Sequence, residues 1–538
     1  MPARGESALT GTRRKTEGFF APPWATKVAA MIQYTLTFRL FHAARGDEAG
    51  LISAPPAFSA GASSLYPKRA GTSRIFSAHP KFDKLCINPS SPWYNNKSCL
   101  EFRGCVCLIL ALVLFLATYV LLLALPNYRA HVALGSAALF VILGILPVSK
   151  VFHSVDWNVL MMIAGTMGIV SLFIESKMPS LLADLLISKM PNVKWAVIAL
   201  ALFAGIISAF VDNVATVLMV APVAVTISKK LGISPVKSII AIAISSNLQG
   251  AATLVGDTTS ILLGGHAGMD FLDFFVYRGR PGLFWVVQIG ALVSTLVLLF
   301  VFRKDNHPIE VKEKTVVEDF FPTTLLIGTI VLLILASFIP ADQKVPVTNG
   351  LICVGLMVIG IVRETVSTRS LAAVKRTLKE IDYFTLLLLA GLFIVISGIT
   401  EAGVVDAISR LFVKISGSNV FLIYTLLVWA SVLFSAFIDN IPYVATMLPV
   451  TSGIAQIMGV DPTILYFGLL TGATLGGNLT PIGASANITG LGILKKEGHE
   501  VSAGTFMKIS VPFTLSAVIA GYILVWLIFR PAGTPFFG

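Results

Sequence analysis

The sequence predicts an all-α polytopic membrane protein: two inverted repeats, each of five transmembrane helices plus one re-entrant hairpin, with interrupted helices at the midplane. Three observations predict it. Only 13% of the 538 residues are charged, against 55% hydrophobic and a mean hydropathy of +0.84, whereas a soluble globular chain carries about 25% charge. Apolar runs of spanning length follow one another from Cys105 onward. Finally, Ser208-Ala209-Phe210-Val211-Asp212-Asn213 returns 227 residues later as Ser435-Ala436-Phe437-Ile438-Asp439-Asn440. So little charge excludes a soluble enzyme, a disordered chain and a secreted disulfide scaffold.

Residues 1–104 form a basic, poorly structured extension with 14 Lys+Arg against 6 Asp+Glu. Its best apolar stretch, Trp24 to Phe41, is interrupted by Lys27 and Arg39 and falls short of a span. Because the excess charge sits there, the basic balance gives no reason to expect nucleic-acid binding. Spans are expected at 105–125, 131–148, 157–174, 236–265 (interrupted), 283–302, 323–339, 345–362, 383–400, 464–490 (interrupted) and 511–529. Segments 195–228 and 419–456 are apolar on both sides of an Asp-Asn pair and read as hairpins. Segments 176–190 and 402–415 carry apolar residues at helical spacing with interspersed Lys or Arg, as interfacial helices do. The first repeat then covers 105–303, a loop 304–322 joins it to the second at 323–530, and 531–538 is a tail. Cys86, Cys99, Cys105, Cys107 and Cys353 show no zinc or redox spacing.

The repetition extends beyond the tips. At the same offset Leu254-Val255-Gly256-Asp257 falls on Pro481-Ile482-Gly483-Ala484; at 226, Asp156 matches Asp382 and Glu175 matches Glu401. Five spans per copy is an odd number, so the second copy enters from the opposite side, the plan of secondary transporters with broken helices. Loop charge orients the ten spans. One side carries 19 Lys+Arg, including Lys177, Lys229, Lys230, Lys312, Lys375 and Lys495; the other carries seven, including Lys150, Arg278, Arg280 and Arg410. The first side is therefore cytoplasmic, which puts the basic extension outside, against the same rule.

Chemistry is expected where polarity interrupts the apolar runs. An Asp at the centre of a membrane helix costs roughly 2.5–3.5 kcal/mol, and intramembrane acids mark functional sites. Asp212-Asn213, with Thr216, and Asp439-Asn440 are the candidate tips; the alternative role, capping the second half-helix, is compatible. The interrupted helices contribute Asn247, Gly256, Asp257, Thr258 and Thr259 in the first copy. Asn478, Thr480, Gly483, Ser485 and Asn487 are their equivalents in the second. Gly and Pro free carbonyls there, and with the small polar side chains they suit a hard cation such as Na+. Close packing explains Gly472 and Gly476 but not the polar cluster. Glu175 and Glu401 read as interfacial caps, and His266 and His499 as solvated loop residues. No phosphate loop of the GxxxxGK[ST] type and no HExxH occurs.

These motifs resemble the ion transporter superfamily, and within it the citrate-transporter-like group with arsenite permeases, D-type sodium–proton antiporters and the melanosomal P protein. The resemblance spans about residues 105–530. It implies a scaffold and a mobile transport domain, commonly in a homodimer, with the site between the tips and the breaks. One departure matters: the sodium–dicarboxylate branch has Ser-Asn-Thr signatures where both tips here read Asp-Asn. A second acid repels a substrate carboxylate unless protonated or paired with a cation.

The expectation is thus a secondary active transporter in the plasma membrane, not an enzyme. It moves a small ion or anion on a proton or sodium gradient, with no cofactor beyond that ion. Asp212 and Asp439 would bind the coupling ion. Sodium–proton exchange is the alternative, and a passive channel the lesser one.

Overall fold

The computed structural model describes residues 97–308, 315–317, 319–340, 342–417 and 419–531; for 97–105 it gives helix but no side-chain surroundings. The stretch Trp24–Phe41 and most of the basic extension lie outside the described residues. Within them the chain is almost wholly helical.

The first half runs α1 (Lys97–Ala124), α2 (Arg129–Ile142), α3 (Val148–Ser154), α4 (Trp157–Glu175), α5 (Met178–Ile187), α6 (Val193–Ser208), α7 (Asn213–Leu231), α8 (Val236–Gly250) and α9 (Thr258–Ala267). A short hairpin, β1 (Val276–Tyr277) and β2 (Arg280–Pro281), leads to α10 (Leu283–Val301). The second half runs α11 (Phe321–Ala336), α12 (Thr348–Thr368), α13 (Ala372–Glu380), α14 (Tyr383–Glu401), α15 (Val404–Ser416), α16 (Val420–Ser435), α17 (Asn440–Met458), α18 (Thr463–Gly476), α19 (Ser485–Lys496) and α20 (Ala503–Phe529). The order of elements in one half repeats in the other.

Local chemistry repeats with it. Asp156 caps α4 by accepting from the Val159 N–H at 3.0 Å, and Asp382 caps α14 from Thr385 at 3.1 Å. Asn192 and Asn419 cap α6 and α16 in the same way. Each oxygen satisfies an N–H that the helix itself leaves unbonded.

Packing is crosswise between halves: α4 lies on α12, α14 on α2, and α10 on α20. Gly165 of α4 and Gly391 of α14 make these approaches possible. A Cβ on Gly165 would stand 2.6 Å from the Val354 nitrogen, and one on Gly391 2.7 Å from the Ala133 carbonyl carbon. Within each half α6 packs on α8 and α16 on α18. Gly472 of α18 sits where a Cβ would meet the Val428 carbonyl oxygen at 2.5 Å, so the close-packing role of that glycine is real.

Several expected elements are redrawn. Among the described residues eight helices are long and apolar enough to cross a membrane, or nine if the bent pair α15–α16 counts as one; ten were expected. The run at 131–148 ends as a helix at Ile142, because Gly144 adopts φ +73° and Pro147 follows. The 14 residues of α2 and 16 of α11 reach only about 21 and 24 Å at 1.5 Å per residue, against a core of about 30 Å. The hairpins at 195–228 and 419–456 have unequal limbs: α7 and α17, 19 residues each, meet the length and hydropathy for a span, unlike α6 (16 residues). Both interruptions occur as expected, at 251–257 and 477–484.

Candidate functional site

The two tips start from the same construction. Asp212 precedes α7 and accepts from the N–H groups of Val214 and Ala215 at 3.0 and 3.1 Å; Asp439 precedes α17 and accepts from Ile441 at 3.1 Å. Capping and intramembrane acid therefore coincide in one residue.

Each break is tied to its own tip. The Thr253 hydroxyl donates to the Ala209 carbonyl, and 227 residues later the Thr480 hydroxyl donates to the Ala436 carbonyl. Gly256 and Gly483 complete the joint. A Cβ on Gly256 would lie 2.6 Å from the Gly250 oxygen and 2.7 Å from those of Ser208 and Ala209. On Gly483 it would lie 2.5 Å from the Gly477 oxygen and 2.8 Å from those of Ser435 and Ala436. Those neighbours are backbone and cannot swing away. Gly256→Ala and Gly483→Ala are each expected to destabilise by about 1–3 kcal/mol, the cost of overpacking, and to depress transport. Thermal unfolding in detergent checks this; wild-type stability in both would contradict the joint.

A buried network joins the halves. Asn213 Nδ2 donates to Asn247 Oδ1 at 3.0 Å, and Asn247 Nδ2 donates to the Thr474 carbonyl at 2.8 Å. The Thr259 hydroxyl donates to Asp257 Oδ2 at 2.7 Å and lies 3.0 Å from Thr474 Oγ1. Asn478 Nδ2 donates to the Ile244 carbonyl at 2.9 Å, and Asn487 Nδ2 reaches the Gly477 and Thr480 carbonyls at 3.2 Å. Several buried oxygens have no partner: Ser208 Oγ, Thr216 Oγ1, Ser260 Oγ, Asn478 Oδ1 and Asn487 Oδ1. Ser260 and Asn487 stand 227 residues apart, so each copy offers an unpaired oxygen at the matched position. Among the described residues no group of three or more His, Cys, Asp or Glu could hold a metal ion. The polar groups gathered here are neutral oxygens and single carboxylates, the donor chemistry hard cations prefer.

A cavity of about 480 Å³ opens beside this network. Six of the sequence-predicted site residues line it: Asp212, Asn213, Asp257, Thr258, Asn440 and Ser485. Thr216, Asn247, Gly256, Thr259, Asn478, Thr480, Gly483 and Asn487 instead build the wall behind it or brace the breaks. Asp439 is set apart from the cavity. Its Oδ2 accepts from Arg129 Nη1 at 2.9 Å, with only 17% and 11% of the two side chains exposed, and Arg129 Nε also donates to the Leu122 carbonyl at 3.3 Å. Close by, the Tyr119 hydroxyl donates to the Pro442 carbonyl at 2.7 Å. The two tips are thus equivalent in sequence and different in charge: among the described residues Asp439 has a guanidinium partner and Asp212 has backbone amides alone.

Sequence reasoning missed the mouth of the cavity. Glu175, Arg376, Glu380, Asp382 and Thr385 line it, from the end of α4, the short helix α13 and the start of α14. Arg376 pairs with Glu175 and, at 2.7 Å, with Glu364. Glu175 is more than the expected interfacial cap, whereas Glu401 does sit at the surface, bonded to Lys150 at 2.7 Å. His266 is exposed, as expected, but lies in the last turn of α9 rather than in a loop, where it bonds Ser452 Oγ at 2.7 Å and packs edge-on against Tyr466. The matched-offset rule alone could have flagged Thr253 and Ser260, as partners of Thr480 and Asn487.

Comparison with known proteins bears on what this arrangement does. The profile of the citrate transporter family matches residues 119–472 and, overlapping, 346–535. An uncharacterized transporter of Mycobacterium tuberculosis is 31% identical over 434 residues, covering 78% of this chain and 98% of its own length. The mouse P protein is 28% identical over 480 residues, covering 73% of this chain and 56% of its own. Among solved structures, the YdaH transporter of Alcanivorax borkumensis aligns over 74% of this chain and 97% of its own, with a TM-score of 0.51 at 13% identity, a likeness of fold. This multi-pass membrane protein is a transporter rather than an enzyme, and it belongs to the citrate transporter family.

Proposed function

We propose that the chain is a secondary active transporter coupled to a proton or sodium gradient, and that cargo and coupling ion meet in the cavity between the tips and the breaks. The observation that carries this is the cavity wall. Its acidic residues are Glu175, Asp212, Asp257, Glu380 and Asp382; its basic one is Arg376, already engaged by Glu175 and Glu364. A cleft lined by one sign of charge concentrates the opposite sign, so cations are drawn in and free anions held off. An anionic or oxyacid cargo then has to enter neutralised by protons or accompanied by a cation.

Asp212 is the coupling carboxylate in this reading, with Asp257 beside it and the unpaired oxygens of Ser260 and Asn487 as further sodium ligands. Asp439 binds its ion only when Arg129 lets go. Sodium–proton exchange is the second reading, supported by the same acidic wall, since there the cations themselves are the cargo. Inverted insertion of the two halves, assembly as a homodimer and residence in the plasma membrane belong to the same proposal.

The test is a proteoliposome panel: citrate, succinate and arsenite uptake, and sodium–proton exchange, each with an imposed sodium gradient, proton gradient or neither. At least one flux is expected to depend on a cation gradient. Equal flux under all three conditions for every solute that moves would overturn the proposal in favour of a channel.

A further inference from the structure

A second cavity of about 230 Å³, distinct from the one described, is lined by parts of α9, α14 and α17 and by Ser154 and Asp156. Six of its ten lining residues have their counterpart in the other half on the wall of the larger cavity. Ser154, Asp156, Phe393, Ile396, Ser397 and Ala445 line it; Glu380, Asp382, Met167, Val170, Ser171 and Leu218 line the larger one at positions 226 or 227 residues away. Where the first cavity runs along α4 of one half and the α13–α14 junction of the other, the second runs along α14 and the α3–α4 junction. They occupy corresponding places with the halves exchanged.

From this we infer that the smaller cavity is a second aqueous vestibule, opening on the membrane face opposite the larger one and admitting the same small cation or cation-accompanied cargo. Its wall is polar enough to hold water and a cation: Asp156, Ser154, Ser397 and His266 all face it, with Ser154 Oγ donating to Ser397 Oγ at 2.9 Å. Flanking charge agrees with opposite faces. Lys177 and Lys375, two and one residues in sequence from the lining residues Glu175 and Arg376, belong to the lysine-rich loop set, whereas Lys150, four residues before the lining Ser154 and bonded to Glu401, belongs to the sparse set. The two also differ in depth. Asp212, Asn213 and Asn440 line the larger cavity, but the lining residue of α17 nearest its tip in the smaller is Ala445. That is five residues past Asn440, about 7.5 Å along the helix. One vestibule therefore reaches the tips while its counterpart stops short, as alternation between the two requires.

The inference rests on the reading of the chain as a carrier, but its test does not depend on which cargo moves, or on transport at all. In a full-length background with the five native cysteines replaced, Ser171→Cys and Ser397→Cys are exposed to a membrane-impermeant thiol reagent in inside-out and right-side-out vesicles. Ala445→Cys serves as a second probe of the smaller cavity, since it leaves the Ser154–Ser397 bond in place. The expected result is that Ser171→Cys labels faster in inside-out vesicles, and Ser397→Cys and Ala445→Cys faster in right-side-out vesicles. Labelling of all three from one face, or no labelling of either small-cavity probe by the impermeant reagent, would overturn it.

Discussion

Replacing Asp212 by Asn is expected to reduce transport to background while leaving the folded protein intact. Asn is as good an N-cap as Asp, so the oxygen that accepts from Val214 and Ala215 is retained and α7 keeps its start. Only the charge is removed. Since Asp212 lies on the cavity wall with no basic partner in contact among the described residues, a bound cation or proton loses its counter-charge. Each 1.4 kcal/mol of lost binding is a factor of ten in affinity, and a charge-assisted contact is worth about 1.5–3 kcal/mol, so coupling-ion affinity should fall by roughly tenfold to a hundredfold. The measurement is flux in proteoliposomes beside thermal unfolding of the same preparation. Undiminished flux would remove Asp212 from the mechanism. Asp212→Ala should show the same loss with a further drop in stability of about 1 kcal/mol, the cost of the missing cap.

Arg129→Gln should have the second large effect, of a different kind. It leaves the Asp439 carboxylate largely buried and unpaired, and breaking a buried pair from one side costs about 3–5 kcal/mol. The variant is expected to unfold at markedly lower temperature and to transport poorly. Removing both charges, as Arg129→Gln with Asp439→Asn, should recover most of the stability, because neither group is then stranded and Asn still caps α17. Recovery of transport in the double variant would make the pair a structural clasp. Recovered stability without transport would show that Asp439 takes part in the cycle once Arg129 releases it. A double variant no more stable than the single one would mean that the pair is not coupled as its geometry indicates.

What the sequence made legible follows from how conspicuous polarity is in apolar surroundings. The tips at Asp212 and Asp439 and the breaks at 251–257 and 477–484 stood out because each interrupts a hydrophobic run and each occurs twice. The helical class and the near-identical order of elements in the two halves follow from the same repetition. What was hidden depends on contacts between distant segments. Arg129 and Asp439 are 310 residues apart, and no periodicity connects them. Arg376 reaches Glu175, and Glu380 and Asp382 share a cavity wall with it, because α4 packs across onto α12 of the other half. Hydropathy also overstated α2, since an apolar run continues past the point where Gly144 and Pro147 end the helix. Nor could the sequence show that the Thr480 hydroxyl and the Asn478 amide nitrogen, on residues expected to line the ion site, donate to the backbone carbonyls of Ala436 and Ile244, which leaves the side-chain oxygen of Asn478 free.

Cation coupling is tested most directly by uphill movement. Proteoliposomes are loaded with the transported solute at the same concentration inside and out, and a sodium or proton gradient is the sole driving force. Net accumulation of solute against its own rising gradient is predicted, collapsing on addition of an ionophore for that cation and absent in Asp212→Asn. A solute that moves only down its own gradient, at the same rate with or without the cation gradient, would contradict the account.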